Sequence, residues 1–482
     1  MNRREFLKGT AWMGAAAMAA GCQLNRFGFG EGGQMQNYVY RKLAGKRIRV
    51  GFIGIGGRGS GAVHRVSMIP GVDIVALCDL RQEQVDKNLA WLKQHKYPNV
   101  DKIKTYVGPE AYKDLCDFGD CDVVYCATPW ALHQPVGLRG LLGGKISLIE
   151  VTSALTVDQC WELVEASESL KIPCMQLENC VYGETELLEV NLARLGMFGE
   201  ITHVEGAYIH DLRAIIPQTG PNNNEWRWRY GENMAHRGDR YPTHGLVPLC
   251  QTIGINRGDR FDYLVALGNG PHNKNYERVR KEYLPETDSR KFDPPAAMAD
   301  MNTTLLKTVN GVSVLVQHDV SSPRPYNRKA LISGTKGIVA DYPFRCAFEE
   351  KCMDGKTHKW FDEKAANEIK TKYAHPLWHD VSEMAKKVGG HGGMDFIMDL
   401  RWAWCLQNGE PLDMDVYDLA ATSCLCELTE TSDRNGSKPV SVPDFTRGNW
   451  RNVKPWGIVN VDLKKMGLDK GDVKKDNAAL NV

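Results

Sequence analysis

The segment GIGGRG at residues 54–59 could bind the phosphates of a nucleotide cofactor. It fits the pattern G-x-G-x-x-G, in which glycines let the backbone approach a pyrophosphate and the N-terminus of the next helix stabilises its charge. Asp79 follows 25 positions after Gly54, close to the spacing at which a carboxylate reaches the ribose hydroxyls of adenosine. Because a carboxylate there repels a 2′-phosphate, the pattern favours NAD over NADP. The candidate cofactor contacts are Gly54, Gly56, Gly57, Arg58, Gly59 and Asp79.

Apolar runs that alternate with helical stretches must position these residues. They predict an α/β fold with a Rossmann-type, doubly wound parallel sheet over residues 46–178. Glu150 ends the last of the clear apolar runs, on the side where ligands of open α/β sheets bind. The first predicted strand begins at residue 46 and leads into the glycine loop, and the others cover residues 72–79, 121–128 and 146–150. The predicted helices cover residues 60–68 and 82–95.

Beyond residue 182 the pattern changes to longer alternating runs, which are typical of an open, mainly antiparallel sheet. We therefore expect a second, α+β domain over residues 179–434 that binds the substrate and mediates dimerisation. Residues 376–432 read as helical, and residues 435–482 as a polar tail. The predicted strands cover residues 201–208, 261–268, 301–307, 312–318 and 330–332.

The composition is that of an ordinary globular protein, and it disfavours a nucleic-acid partner. Apolar residues make up 43% and charged residues 25% of 482, so a sizeable core is possible and disorder is excluded. The 60 Lys+Arg and 59 Asp+Glu leave a net charge of +1, without the basic excess that nucleic-acid binders carry.

The N-terminus has the pattern of an export signal. Arg3-Arg4 followed by Phe6-Leu7-Lys8 matches the twin-arginine signal, and the apolar run after it is too short to span a bilayer. Residues 19–22 resemble a lipobox, in which Cys22 becomes acylated; the alternative is a signal with an incidental cysteine. We expect residues 1–22 to be this signal, residues 23–45 a linker, and the mature protein to be periplasmic. If Cys22 is acylated, its lipid anchors the protein to a membrane.

The cysteine pattern predicts neither a disulfide framework nor a metal site. Most of the 14 cysteines lie in apolar contexts, where a buried thiol acts as a small hydrophobic group. Cys424 and Cys426 are separated by one residue and lack the two-residue gap of a zinc or redox pair.

Residues 46–180 resemble the Gfo/Idh/MocA oxidoreductases through the glycine loop, Asp79, Thr128-Pro129 with His133, and Glu150. That family usually continues Glu-Lys-Pro after this glutamate, and its lysine assists proton transfer. Here the sequence is Glu150-Val-Thr, which argues against net dehydrogenation. Further blocks resemble glycoside hydrolase family 109, whose members are exported NAD-dependent α-N-acetylgalactosaminidases. These blocks include LENCVY at 177–182, GDRYPTHG at 238–245, SPRPY at 322–326 and GHGGMD at 390–395.

The resemblance implies a redox-neutral hydrolysis, a recognised exception to the carboxylate-pair mechanism. NAD oxidises C3 of the sugar, the C2 proton is removed as the C1 aglycone leaves, water adds, and the hydride returns to C3. Acid and base groups must therefore lie over the nicotinamide, and the cofactor must stay bound. The products are expected to retain the α configuration.

The resemblance also assigns roles to individual residues. His244 is expected to handle the C3 hydroxyl proton. Tyr241 lies three positions earlier, so on a helical turn both would face one side. Tyr182 is the candidate base at C2. The further expected contacts are Glu150, Asn179, Thr128 and His133 to the cofactor, and Arg213, Tyr241 and Tyr326 to the sugar.

Two alternatives remain open on sequence alone. The first is an NAD-dependent sugar dehydrogenase on a related hexose or hexosamine, with the cofactor released in each turn. The second is a glycan-binding protein with a vestigial cofactor site. The missing lysine after Glu150 argues against the first, and the intact glycine loop with the Tyr241/His244 pair argues against the second.

Overall fold

The computed structural model describes residues 33–215, 224–349 and 359–468. The expected export signal and Cys22 lie outside these residues. In the described part of the chain, no helix is both long and apolar enough to cross a membrane.

The N-terminal domain is a six-stranded parallel sheet in the order β3-β2-β1-β4-β5-β6, with helices between its strands. The predicted doubly wound Rossmann sheet is therefore confirmed. The edge strand β3 was not predicted, because its residues are mostly exposed and carry no apolar run. The strands are β1 (Ile48–Ile53), β2 (Val72–Asp79), β3 (Lys104–Val107), β4 (Val123–Cys126), β5 (Ile146–Glu150) and β6 (Cys174–Leu177). The helices are α1 (Gly57–Val66), α2 (Gln82–Gln94), α3 (Ala111–Asp117), α4 (Trp130–Leu142) and α5 (Val157–Leu170).

The second domain is built on an eight-stranded sheet in the order β13-β12-β11-β7-β10-β9-β8-β14. All of its pairs are antiparallel except β7 with β10, so the predicted mainly antiparallel sheet is confirmed. The strands β12, β13 and β14, which have four, four and two residues, were not predicted. The strands are β7 (Ile201–Ile209), β8 (Phe261–Gly268), β9 (Asn302–Thr308), β10 (Ser313–Asp319), β11 (Leu331–Gly334), β12 (Gly337–Ala340), β13 (Arg345–Phe348) and β14 (Val440–Ser441).

The helices of this domain pack on one another and on the sheet. They are α6 (Glu184–Arg194), α7 (Asn224–Ala235), α8 (Thr243–Ile253), α9 (Lys274–Tyr283), α10 (Glu363–Lys372), α11 (Pro376–Val388), α12 (Met394–Asn408), α13 (Val416–Ser423) and α14 (Leu425–Arg434).

A pair of glycines sets the distance between α8 and β7. A Cβ on Gly206 would lie 1.9 Å from the carbonyl oxygen of Gly245, and a Cβ on Gly245 would lie 2.5 Å from the backbone nitrogen of Ala207. Only glycine allows the two backbones to approach this closely. The first turn of α8, which carries His244, therefore packs directly against strand β7.

The segment after residue 435 is irregular but packed against the rest of the fold. Its short strand β14 pairs with β8, and Phe445, Trp450 and Trp456 are buried. The twelve cysteines of the described residues are buried free thiols.

Candidate active site

The glycine loop connects β1 to α1 at the carboxyl edge of the parallel sheet. Gly54 has φ +81°, and a Cβ there would lie 2.8 Å from the backbone of Ala127. A Cβ on Gly59 would lie 1.9 Å from the carbonyl oxygen of Gly54. The loop therefore excludes side chains at these positions, and α1 begins at Gly57 with its N-terminus at the sheet edge. This arrangement fits the pyrophosphate of a dinucleotide.

Asp79 stands at the end of β2 beside the loop. Its carboxylate accepts hydrogen bonds from the N–H groups of Ile55, at 2.9 Å, and Arg81, at 3.0 Å. Burial raises the pKa of this carboxyl, and the two backbone donors act against that rise. Asp79 thus stabilises the loop in addition to its expected role at the adenosine ribose.

Thr128 and His133 lie next to the loop, on the segment after β4. A Cβ on Gly54 would come within 2.8 Å of the Thr128 nitrogen, so this residue directly borders the loop. We expected His133 to line the cofactor cleft, but it is buried, and both of its ring nitrogens face backbone carbonyls. Nε2 is 2.6 Å from Thr128 O, and Nδ1 is 2.7 Å from Thr152 O. His133 therefore joins two loops of the site and does not itself face a ligand.

Arg58 and Asn179 both contact a carboxylate that we did not predict, Asp395, and Arg58 also contacts Glu150. Arg58 Nε is 2.6 Å from Glu150 Oε1, and its second nitrogen is 2.6 Å from Asp395 Oδ2. Asn179 Nδ2 donates to Asp395 Oδ1 at 2.6 Å. Burial alone would raise the pKa of Asp395, but Arg58 and Arg65 hold it well below its usual value. Asp395 is therefore ionised.

His244 forms the centre of an acid/base array with Tyr241 and a residue that we did not predict, Glu178. Its Nδ1 is 2.7 Å from Glu178 Oε1, and its Nε2 is 3.2 Å from the Tyr241 hydroxyl. Burial would raise the pKa of Glu178, but His244 lowers it below the usual value, so the carboxylate is charged. A charged Glu178 fixes the tautomer: Nδ1 donates to it, and Nε2 is free to accept a proton from Tyr241.

Tyr241 precedes α8, and its contact with His244 is made across the N-terminus of that helix. Glu178 comes directly after β6, so its position at the end of a buried strand was the available signal for it.

Aromatic rings enclose Tyr241. Trp130 stacks on it with ring centroids 5.3 Å apart, and Tyr208 meets it edge-on at 4.9 Å. The Arg229 guanidinium lies 5.1 Å from the centre of the Tyr241 ring and 5.0 Å from that of Trp130. Burial raises the pKa of the Tyr241 hydroxyl, and the charge of Arg229 acts against that rise. Tyr208 and Arg229 were not predicted, because each stands on a different element from Tyr241.

Tyr326 borders the same aromatic cluster, whereas Arg213 is held by a neighbour. The Tyr326 ring lies 6.3 Å from that of Tyr208, and its hydroxyl accepts a hydrogen bond from Arg328 at 3.1 Å. Arg213 forms a bidentate pair with Asp211, at 2.8 and 2.6 Å. The expected contacts of both residues with a sugar stay predictions.

Tyr182 does not reach this site, so its assignment as the C2 base is wrong. It is fully buried in the core, where its hydroxyl donates to Asp413 Oδ2 at 2.9 Å. Burial and Asp413 hold its pKa well above 10. The 3-10 turn Asn179–Tyr182 brings Asn179 to Asp395 but directs Tyr182 to a different part of the protein.

The substitution Tyr182→Phe tests this correction. We expect turnover within about two-fold of wild type. We also expect a loss of about 1.5–3 kcal/mol in the free energy of unfolding, because one buried hydrogen bond to the Asp413 carboxylate disappears. Steady-state kinetics and denaturant unfolding measure the two quantities. A folded, NAD-loaded Tyr182→Phe protein without activity would restore the tyrosine to the catalytic machinery.

A carboxylate, a thiol and an imidazole also lie within 4.8 Å of one another at Glu178, Cys180 and His244. The 2.7 Å between His244 and Glu178 is shorter than the roughly 3.3 Å that separates two ligand atoms of a tetrahedral zinc ion. Burial holds the pKa of Cys180 well above 9, so this thiol is protonated. The group fits a hydrogen-bonded His–Glu pair better than a shared metal ion.

Comparison with known families matches both halves of the chain. Residues 182–452 match the glycosyl hydrolase 109 C-terminal domain, and residues 48–176 match the oxidoreductase family with an NAD-binding Rossmann fold. A glycosyl hydrolase family 109 protein of Bacteroides thetaiotaomicron is 44% identical over 84% of this chain and 86% of its own length. A protein of Shewanella oneidensis named alpha-N-acetylgalactosaminidase is 39% identical over 95% of this chain and 99% of its own.

Solved structures show the same fold at low identity. Levoglucosan dehydrogenase in complex with NADH and levoglucosan superimposes with a TM-score of 0.61 and 17% identity over 82% of this chain and all of its own. An NAD-binding oxidoreductase of Klebsiella pneumoniae gives a TM-score of 0.60 and 16% identity over 83% of this chain and 99% of its own.

Proposed function

This chain belongs to glycosyl hydrolase family 109, and we propose that it removes terminal α-linked N-acetylgalactosamine from glycans, with retention of configuration and with NAD as a resident cofactor. The family identifies it as a glycoside hydrolase with an NAD-binding Rossmann domain. The sugar, the linkage and the redox-neutral route are the proposal.

The observation that carries the proposal is the position of the acid/base array against the end of β5. The Thr152 hydroxyl, two residues beyond that strand, donates to the Arg240 carbonyl at 3.3 Å, directly before Tyr241. The Trp130 indole donates to Val151 O at 3.3 Å while its ring stacks on Tyr241. Ligands of open α/β sheets bind at this edge, so a sugar beside Tyr241 would also lie beside the cofactor.

When bound, NAD would take a hydride from C3 of the sugar and return it after two further steps, so that the net reaction is hydrolysis. In these steps the aglycone would leave C1 as the C2 proton is lost, and water would then add its hydroxyl to C1 and a proton to C2. Tyr241 would accept the C3 hydroxyl proton while its own phenolic proton moves to His244 Nε2. Glu178 would stabilise the imidazolium that forms, through the hydrogen bond at Nδ1. Arg229 would stabilise negative charge that develops on the Tyr241 oxygen. The same groups would return the proton when C3 is reduced again.

A resident cofactor also suits the expected location. The twin-arginine route exports folded proteins, so the chain would reach the periplasm with NAD already in place. We propose this route from the sequence of residues 1–22.

The proposal is tested by nitrophenol release from nitrophenyl N-acetylgalactosaminides. We expect the purified mature protein to hydrolyse the α-linked compound without added NAD and without a net rise in NADH absorbance. Mass spectrometry after denaturation should find about one NAD per chain. The β-linked compound and the corresponding α-galactoside and α-glucoside serve as controls. NADH that accumulates with free sugars, without nitrophenol release, would instead identify a dehydrogenase.

A further inference from the structure

A carboxylate of the C-terminal domain reaches the glycine loop of the Rossmann domain. Asp395 is the second residue of α12, and Arg58 is the second residue of α1. Their side chains lie 2.6 Å apart, in a contact that leaves the Asp395 side chain 2% exposed. The same guanidinium contacts Glu150 at the end of β5, so Arg58 connects the two domains at the cofactor edge of the sheet.

The chain is built to hold Asp395 in this place. Gly390, Gly392 and Gly393 all have positive φ, at 86°, 71° and 105°, which turns the backbone sharply before α12. A Cβ on Gly390 would lie 2.7 Å from the Asp395 side chain. The Asp395 carboxylate is further fixed by Asn179, at 2.6 Å, and by His391 Nδ1, at 3.0 Å.

A second ion pair between the same two helices, α1 and α12, lies next to the first. Arg65, about two helical turns beyond Arg58 on α1, is 2.8 Å from Asp399 and 3.5 Å from Asp395. Both carboxylates stand on α12, and all three side chains are almost fully buried. Separating α1 from α12 would leave these buried charges without their partners, which is strongly unfavourable. The two helices therefore stay together.

We propose that the ion pair of Arg58 with Asp395 is a clasp that retains NAD between turnovers. It joins the phosphate-binding end of α1 to the C-terminal domain, so the loop cannot open for the dinucleotide to leave unless this pair, whose Asp395 side is buried, breaks. The inference rests on the proposed function, which needs a cofactor that stays bound through both redox steps. Asp395 is in this role a positioning residue and takes no part in the chemistry.

The clasp is tested by the rate at which the holoenzyme exchanges NAD. Wild-type protein and the variants Asp395→Asn and Arg58→Gln are incubated with an excess of radiolabelled NAD, and bound label is followed over time. We expect each variant to exchange at least about ten-fold faster than wild type. Because both substitutions break the same link, the double variant should exchange little faster than either single one.

Asp122→Asn is the matched control. Asp122 also pairs with an arginine of the Rossmann domain, Arg49, at 2.8 Å, but it directly precedes β4, at the amino edge of the sheet, away from the glycine loop. It should exchange NAD at the wild-type rate. Thermal unfolding of each NAD-free protein separates a general loss of stability from a specific loss of retention.

Each outcome decides a different point. Slow exchange in wild type and equally slow exchange in both clasp variants would overturn the clasp and leave the proposed function standing. Fast exchange in wild type would overturn the resident cofactor itself. If Asp395→Asn fails to fold, Asp395→Glu takes its place, because it keeps the charge but lengthens the side chain and should still disturb the 2.6 Å contact with Arg58. Arg58→Gln alone does not decide the matter, because Arg58 is also a candidate cofactor contact.

Discussion

His244→Ala should lower the turnover number for nitrophenol release from the α-N-acetylgalactosaminide by about 10²- to 10⁴-fold, the range for loss of a general acid or base. Among the described residues, only the His244 imidazole connects the Tyr241 hydroxyl, at 3.2 Å, with the Glu178 carboxylate, at 2.7 Å. Its removal leaves Tyr241 without a proton acceptor and Glu178 as an unpaired buried charge. Bound NAD, measured by mass spectrometry, should remain at the wild-type level, because the contacts of His244 within the described residues are with Tyr241, Glu178 and Tyr208 and not with the glycine loop.

Two further variants make the expectation specific. Glu178→Gln keeps the shape of the side chain but removes its charge, so it should lower the turnover number by a smaller factor and leave the Michaelis constant nearly unchanged. His236→Ala is the matched control, because His236 lies in the same domain and pairs with Glu430 at 3.0 Å, away from Tyr241. Hydrolysis at the wild-type rate by folded, NAD-loaded His244→Ala would refute the proton relay.

Gly59→Val should remove NAD from the purified protein and lower the rate of hydrolysis by at least about a hundred-fold. Even the Cβ of the new side chain would lie 1.9 Å from the carbonyl oxygen of Gly54, so α1 cannot begin where it does. The pyrophosphate would then lose both the close backbone approach and the helix N-terminus. The measurement is the NAD content per chain, together with the turnover number in the presence of added NAD.

The control for this variant is Gly119→Ala in the same domain, where an added Cβ meets nothing within 4 Å and φ is not positive. It should keep full NAD content and activity. Circular dichroism confirms that Gly59→Val retains its secondary structure. A folded Gly59→Val protein that still carries one NAD per chain would show that the cofactor does not use this loop.

The sheet of the first domain could be predicted because its evidence is local. The strands β1, β2, β4 and β5 are predominantly apolar and almost wholly buried, and the alternation with helices admits few topologies. The strand β3 was missed because it lies at the sheet edge, with three of its four residues exposed and the fourth half-buried. The short strands β12, β13 and β14 were missed as well; of these, β14 has only two residues and β13 begins at an exposed arginine.

The candidate site divides in the same way. Gly54, Gly59 and Asp79 lie within one β-loop-α-β segment, so their spacing alone indicated a dinucleotide site. His244 and Tyr241 are three positions apart, and the structure brings their side chains within hydrogen-bond distance. Tyr182 was assigned wrongly because a sequence does not state which side of a 3-10 turn faces a pocket and which faces the core.

Sequence by itself determined the class of fold, the glycine loop with its acidic partner, and the membership in glycosyl hydrolase family 109 that the ordered motifs indicated. Only the tertiary structure decided which distant groups meet: Glu178 with His244, Arg229 with Tyr241, and Asp395 with Arg58. The reason is physical. Backbone conformation and burial periodicity depend on neighbours along the chain. In contrast, Glu178 and His244 are 66 positions apart and Arg58 and Asp395 are 337 positions apart, so these contacts depend on how strands, helices and domains pack.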